Sequence, residues 1–265
     1  MLEQLIQAII LGIIQGLTEW LPISSTGHLK IAEHLFGLAT PLLFEILLHS
    51  GTLIVVLFFF RKDVKNILLA LVYLDFKSES GKLIPLIVVG TIPTAIIGYI
   101  FVEYFETTFN EILPIGITFI IGATLLYLSK KGQEKTDNIT YLTALLIGTV
   151  QGIATFHGLS RSGATISVAL LLGLKREKAF KFSFLLSIPA ILGALTLTFY
   201  KERAMLATTG IGWTELSVGV AVAIIVGYFA LKLLWKLIAT RKFHYFAFYT
   251  WLLGTALIIL ALIGF

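Results

Sequence analysis

The sequence predicts an all-α integral membrane protein arranged as an inverted-topology repeat, each half a re-entrant helical hairpin followed by three transmembrane helices. Three observations predict it. Hydrophobic residues make up 57% of the chain and charged residues 13%, roughly half the charge that a water-facing domain carries, so lipid must solvate much of the surface. Apolar runs of about 20 residues, long enough to cross a ~30 Å hydrocarbon core, recur along the chain. A polar, glycine-punctuated motif also occurs twice in one register.

The elements follow in order. Segment 1–38 is apolar but broken by Pro22 and Gly27, which predicts a hairpin. Runs 42–60, 83–102 and 112–129 read as spans and complete a first repeat over 1–138. Segment 141–174, broken by Gly158 and Gly163, reads as the second hairpin. Runs 182–200, 216–235 and 246–265 complete a second repeat over 139–265, and the two repeats form one structural domain. Pro93 and Pro189 fall inside spans and read as kinks. The N-terminus has acidic Glu3 where a signal peptide carries a basic residue, so residue 1 is expected in the mature protein. The absence of cysteine excludes disulfides, a thiolate nucleophile and a cysteine metal site.

Loop charge sets the topology. Arg61, Lys62, Lys65, Lys77 and Lys82 lie in 61–82; Lys130, Lys131 and Lys135 in 130–138; Lys175, Arg176, Lys178 and Lys181 in 175–181; Lys236, Arg241 and Lys242 in 236–244. The positive-inside rule assigns these loops to the cytoplasm. Loop 103–111 holds Glu103, Glu106 and Glu111 without a cation and is assigned outside, as is 201–215 despite Lys201 and Arg203. Segment 141–174 then starts and ends in the cytoplasm and must re-enter, and 1–38 enters from outside. The formal charge of +5 follows from these loops, and no nucleic-acid partner is expected.

The repeat carries the chemistry. Gln15-Gly16-Leu17-Thr18-Glu19-Trp20 aligns with Gln151-Gly152-Ile153-Ala154-Thr155-Phe156, and Ser24-Ser25-Thr26-Gly27 aligns with Ser160-Arg161-Ser162-Gly163 at the same offset. Each half crosses the membrane an odd number of times, which inverts the second half. Inverted repeats place a site near the midplane, between broken helices. Irregular backbone at that depth must be buried in protein or line a wet cavity, and membrane-embedded Glu19, His28 and Arg161 are candidates for function.

Small residues and glycines before a helix present N–H groups and hydroxyls to an anion, phosphate above all. Arg161 adds a planar, permanently charged fork. Two facing turns suit a diphosphate, with Gln15, Ser24, Thr26, Gly27, Ser160, Ser162, Gly163 and Thr165 as the binding set. Ser25 offers a nucleophile. His28 can accept its proton or protonate a leaving group. Glu19 can hold a divalent cation or activate the nucleophile. Oxygen donors favour Mg²⁺ or Ca²⁺. Glu45 and His49, one helical turn apart, either line the same cavity or pair with each other.

On these motifs the chain resembles the undecaprenyl-diphosphate phosphatase family, of the bacitracin-resistance type, over nearly its whole length. The resemblance rests on 15–28 and on Gly158-Leu159-Ser160-Arg161-Ser162-Gly163-Ala164-Thr165. It implies hydrolysis of a C55-type polyprenyl diphosphate to the monophosphate, recycling a lipid carrier for envelope glycan synthesis. It also implies a divalent cation, a multi-pass protein of the plasma membrane, and a site open to the extracytoplasmic face. By resemblance Glu19 is the essential glutamate, Ser25 the nucleophile, His28 the essential histidine and Arg161 the phosphate-binding arginine. The expected partners are the polyprenyl diphosphate and membrane lipids, with a homodimer allowed for. Three positions depart from the family pattern: Gln15 replaces the first of two carboxylates, His157-Gly158 replaces Pro-Gly, and His49 replaces a glutamine. The alternative is a transporter or flippase of a phosphorylated lipid or small anion, for which the nucleophile would be dispensable.

Overall fold

The computed structural model describes residues 2–36, 42–108, 111–201 and 212–263. These form eleven α-helices: α1 Leu2–Trp20, α2 Ser25–Phe36, α3 Leu42–Phe59, α4 Arg61–Val72, α5 Leu83–Thr108, α6 Ile112–Leu128, α7 Tyr141–Ile153, α8 Arg161–Leu171, α9 Arg176–Lys201, α10 Trp213–Ala239 and α11 Phe246–Leu262. Among the described residues no strand forms, only an isolated bridge between Thr136 and Leu174. Helices α5, α6, α9, α10 and α11 (the last with Phe243–Tyr245 before it) are long and apolar enough to cross a bilayer. Helix α3 adds a sixth when counted with α4, which bends away from it by 82°. The chain is an all-helical, multi-pass membrane protein.

Helices occupy all six predicted spans as far as the described residues reach (264 and 265 lie outside them), and both polar segments are helix–turn–helix units, α1/α2 and α7/α8. Two loop expectations need correction. Residues 61–72 of the loop read over 61–82 form helix α4, in which Val64 and Ile67, about one helical turn apart, pack on the core. Loop 103–111 is shorter than expected, because α5 runs on to Thr108. The side chains of Glu103 and Glu106, and all of Arg203, lie outside the described residues.

Local chemistry explains both hairpin turns. Pro22 has no N–H to continue α1, and Ser24 takes a left-handed φ of 68°. The Gly27 N–H then donates to Ser24 Oγ at 3.3 Å, capping α2. In the second hairpin Gly158 takes φ 91°, and the Gly163 N–H donates to Ser160 Oγ at 3.1 Å, capping α8. A side chain at Gly158 would run into Thr118 Oγ1 and the Ile115 carbonyl. The shared S-x-[ST]-G pattern is therefore a helix start in both halves.

Lipid supplies no hydrophobic force between helices, so close approach of small residues holds them. Gly12 and Gly16 of α1 pack on Gly219 and Ala223 of α10, Gly148 of α7 on Gly90 of α5, and Gly116 of α6 on Gly254 of α11. An aromatic cluster fills the centre: Trp20 to Phe184 at 5.5 Å, Phe180 to Phe184 at 4.7 Å and Phe60 to Phe184 at 5.9 Å between ring centroids. Trp20 is fully buried, which anchors the end of α1 and with it Glu19.

Candidate active site

Glu19 stands in the last turn of α1, with its side chain 9% exposed. Ser25 and Arg161 are the first residues of α2 and α8, equivalent places in the two hairpins. Their side chains meet on the same carboxylate. Ser25 Oγ donates to Glu19 Oε2 at 2.7 Å, and Arg161 Nη2 donates to Glu19 Oε1 at 2.9 Å. The guanidinium also lies 5.7 Å from the centre of the Trp20 ring. Residues far apart in sequence thus build one charge-assisted, mostly buried network.

Gln15 lies one turn before Glu19 and is fully buried. Its Nε2 donates to Glu19 Oε2 at 3.2 Å and to His49 Nδ1 at 3.1 Å. His49 Nδ1 is 3.6 Å from Glu19, so His49 lines the site, while Glu45 lies 3.9 Å from Lys30. Two buried polar atoms beside this network have no partner among the described residues: Arg161 Nη1, a donor, and Gln15 Oε1, an acceptor. Leaving such groups unpaired costs about 1–3 kcal/mol each. The donor suits a phosphoryl oxygen and the acceptor suits a hard cation. Among the described residues no three His, Asp or Glu side chains gather as a metal site. A divalent cation here would draw on Gln15 Oε1 and Glu19, with substrate and water oxygens completing its coordination.

The remaining predicted residues sit around this centre. Ser24 caps α2 and lies 3.4 Å from Thr26 Oγ1. Gly27 packs against Phe119 and Gly158. His28 Nδ1 donates to the Ser24 carbonyl at 2.7 Å and so braces the turn that presents Ser25. Ser160 caps α8, Ser162 Oγ donates to the Trp20 carbonyl at 3.1 Å, and Gly163 packs on Pro22. Thr165 Oγ1 donates to the Arg161 carbonyl and contacts Ser183 Oγ. The hydroxyls of Ser162 and Thr165 thus tie the second hairpin to the first and to α9 around Arg161, while Ser160 fixes its own turn.

Gln151, the repeat partner of Gln15, is used differently: its Nε2 donates to Thr94 Oγ1 and the Leu186 carbonyl, joining α7, α5 and α9. Sequence reasoning missed Tyr249. Its hydroxyl lies 2.7 Å from His28 Nε2, with the two rings stacked. The His28 Nδ1 proton is on the Ser24 carbonyl, so in neutral imidazole Nε2 accepts from the Tyr249 O–H. No local signal marks Tyr249, one of several aromatics in an apolar span.

Residues 8–256 match the family described as bacitracin resistance protein BacA. The chain belongs to the BacA family. Relatives agree over nearly full length. A protein of Carboxydothermus hydrogenoformans named undecaprenyl-diphosphatase is 44% identical, covering 97% of this chain and 98% of its own. One of Halothermothrix orenii with the same name is 40% identical, covering 97% and 98%. Undecaprenyl-diphosphatase 3 of Bacillus cereus is 42% identical, covering 96% of each chain. The match to the BacA family spans both hairpins, and so covers Gln15, Glu19, Ser25 and Arg161 together.

Proposed function

We propose that this BacA-family chain removes the terminal phosphate of a polyprenyl diphosphate of the undecaprenyl type, returning the monophosphate carrier to envelope glycan synthesis. The observation that carries the chemistry is the sharing of one carboxylate: Ser25 Oγ on one oxygen of Glu19 and Arg161 Nη2 on the other. A serine hydroxyl held on a carboxylate is a nucleophile with its proton acceptor in place.

Ser25 Oγ attacks the terminal phosphorus, its proton passes to Glu19 Oε2, and the bond to the bridging oxygen breaks to release the lipid monophosphate. Water then hydrolyses the phosphoserine. Protonation of Glu19 weakens its hold on Arg161 as charge spreads over the phosphoryl oxygens. The guanidinium, with Nη1 already unpaired, then transfers to them. His28, braced between the Ser24 carbonyl and Tyr249, holds the strained turn and keeps Ser25 in line. A bound Mg²⁺ or Ca²⁺, held by Gln15 Oε1 with substrate and water oxygens and by Glu19 until it takes the serine proton, would neutralise the clustered charge of the diphosphate.

The proposal includes an inverted repeat, 1–138 and 139–265, with both hairpins re-entrant and the site opening to the extracytoplasmic side of the plasma membrane. Supporting this is the exchange of partners between halves: α1 packs on α10 as α7 packs on α5, and α3 on α10 as α9 on α5. The basic loops, assigned to the cytoplasm, set the orientation.

The test is phosphate release from farnesyl diphosphate by the purified chain with Mg²⁺ or Ca²⁺. Release is expected, with loss on chelation, restoration by either cation, and abolition by Arg161→Ala. A folded chain that releases none overturns the proposal. Acid-stable phosphoserine trapped on the wild type, absent in Ser25→Ala, identifies the nucleophile. A merely slowed Ser25→Ala without trapped phosphoserine gives that role to water.

A further inference from the structure

Helix α4 has no place in the site described above. It bends 82° from α3, so with α3 crossing the bilayer, α4 runs nearly parallel to its surface. Leu68 is 55% exposed and Val72 74%, with Leu69 and Leu71 also exposed. Val64 and Ile67, in contrast, pack on the protein core. The helix begins with Arg61, Lys62 and Lys65. Its one carboxylate, Asp63, is paired with Lys181 of α9. Among the described residues no carboxylate pairs with Arg61, Lys62 or Lys65.

An open groove of about 350 Å³ runs along this bend. Leu57 of α3 and Leu68, Leu69 and Val72 of α4 give it apolar walls, and Arg61 and Lys65 stand on its edge. Arg61 is fixed there: its Nη1 donates to the Phe58 carbonyl at 3.2 Å and its guanidinium lies 4.9 Å from the Phe58 ring centre. An apolar trough edged by two unpaired cations, at the level where headgroups meet acyl chains, is complementary to one chemistry. We propose that this groove binds an acidic phospholipid of the leaflet bordering the basic loops. Arg61 and Lys65 hold the headgroup phosphate, and the trough holds the upper part of an acyl chain. Such a site docks α4 in the interface plane and holds the α3–α4 bend away from water. It is independent of the diphosphate chemistry.

Native mass spectrometry of the full chain, with phosphatidylglycerol and phosphatidylcholine of matched acyl chains, tests this. Each surface cation is worth roughly five-fold toward an anionic lipid, so the pair should favour phosphatidylglycerol by about thirty-fold. R61Q/K65Q should bring the two lipids close to parity, while K130Q/K131Q, in another basic loop, should keep the preference. Circular dichroism verifies the fold of each variant. Equal retention of both lipids by the wild type overturns the proposal, and so does an unchanged preference in R61Q/K65Q, or a lipid-free dimer that closes the groove with a second copy. Should the double variant not fold, the wild-type melting temperature decides: it should rise with phosphatidylglycerol and not with phosphatidylcholine, and an equal rise refutes the site.

Discussion

Glu19→Gln keeps the shape of the central side chain and removes its charge. Each carboxylate oxygen now accepts from a different donor, Ser25 Oγ at 2.7 Å and Arg161 Nη2 at 2.9 Å. An amide has one acceptor and one donor end, so its oxygen can keep Arg161 while its N–H reverses the bond to Ser25 Oγ and faces the Gln15 Nε2 donor. It also cannot take the serine proton. Loss of a positioned general base slows a reaction by about 10²–10⁴-fold, equivalent to raising the barrier by roughly 3–5 kcal/mol. The guanidinium no longer faces a charged carboxylate, and saturating cation offsets the lost carboxylate ligand, so substrate should bind as well as before or better. The expected signature is therefore a fall in kcat of about 10²–10⁴-fold with KM unchanged or lowered. It is read from initial rates of phosphate release from farnesyl diphosphate, at saturating Mg²⁺, on protein that elutes as a single folded species. A kcat within about three-fold of wild type would falsify the role given to Glu19 as proton acceptor. A raised KM with kcat intact would make it a binding group instead.

Arg161→Lys keeps the positive charge but loses the fork that spans Glu19 and the phosphoryl oxygens; kcat/KM should drop by about 10²-fold, and a variant near wild-type rates would remove the arginine from charge stabilisation. Tyr249→Phe deletes the hydroxyl on His28 Nε2, worth about 0.5–1.5 kcal/mol, so kcat should fall about 2- to 10-fold with KM steady, and an unchanged kcat would make the contact incidental. Gly148→Ala places a methyl group on the Gly90 backbone, costing about 1–3 kcal/mol of overpacking. Its thermal midpoint in detergent should drop, whereas Gly98→Ala, with open space around it, should hold within about 1 kcal/mol of wild type. Equal midpoints for the two would contradict the close α5–α7 approach.

Much of this protein was legible from its residues alone. Apolar length gave the spans, since a bilayer demands about 20 uncharged residues whatever they pack against. Pro22, Gly27, Gly158 and Gly163 marked the hairpin turns, because backbone restriction acts within a few residues. The repeated register named Glu19, Ser25 and Arg161 as belonging together. Packing alone decided how they do. His28 was the nearer proton acceptor for Ser25 along the chain, yet its Nδ1 is engaged by the Ser24 carbonyl and the serine turns to Glu19. Gln15 and Gln151 share a motif, but one faces Glu19 and the other ties α7 to α5 and α9. Tyr249 reaches His28 only because α11 passes close to α2. Spacing along a chain sets local conformation through short-range sterics and hydrogen bonds. Which side chains meet across helices depends on crossing geometry, and that is set by glycine contacts summed over the whole bundle.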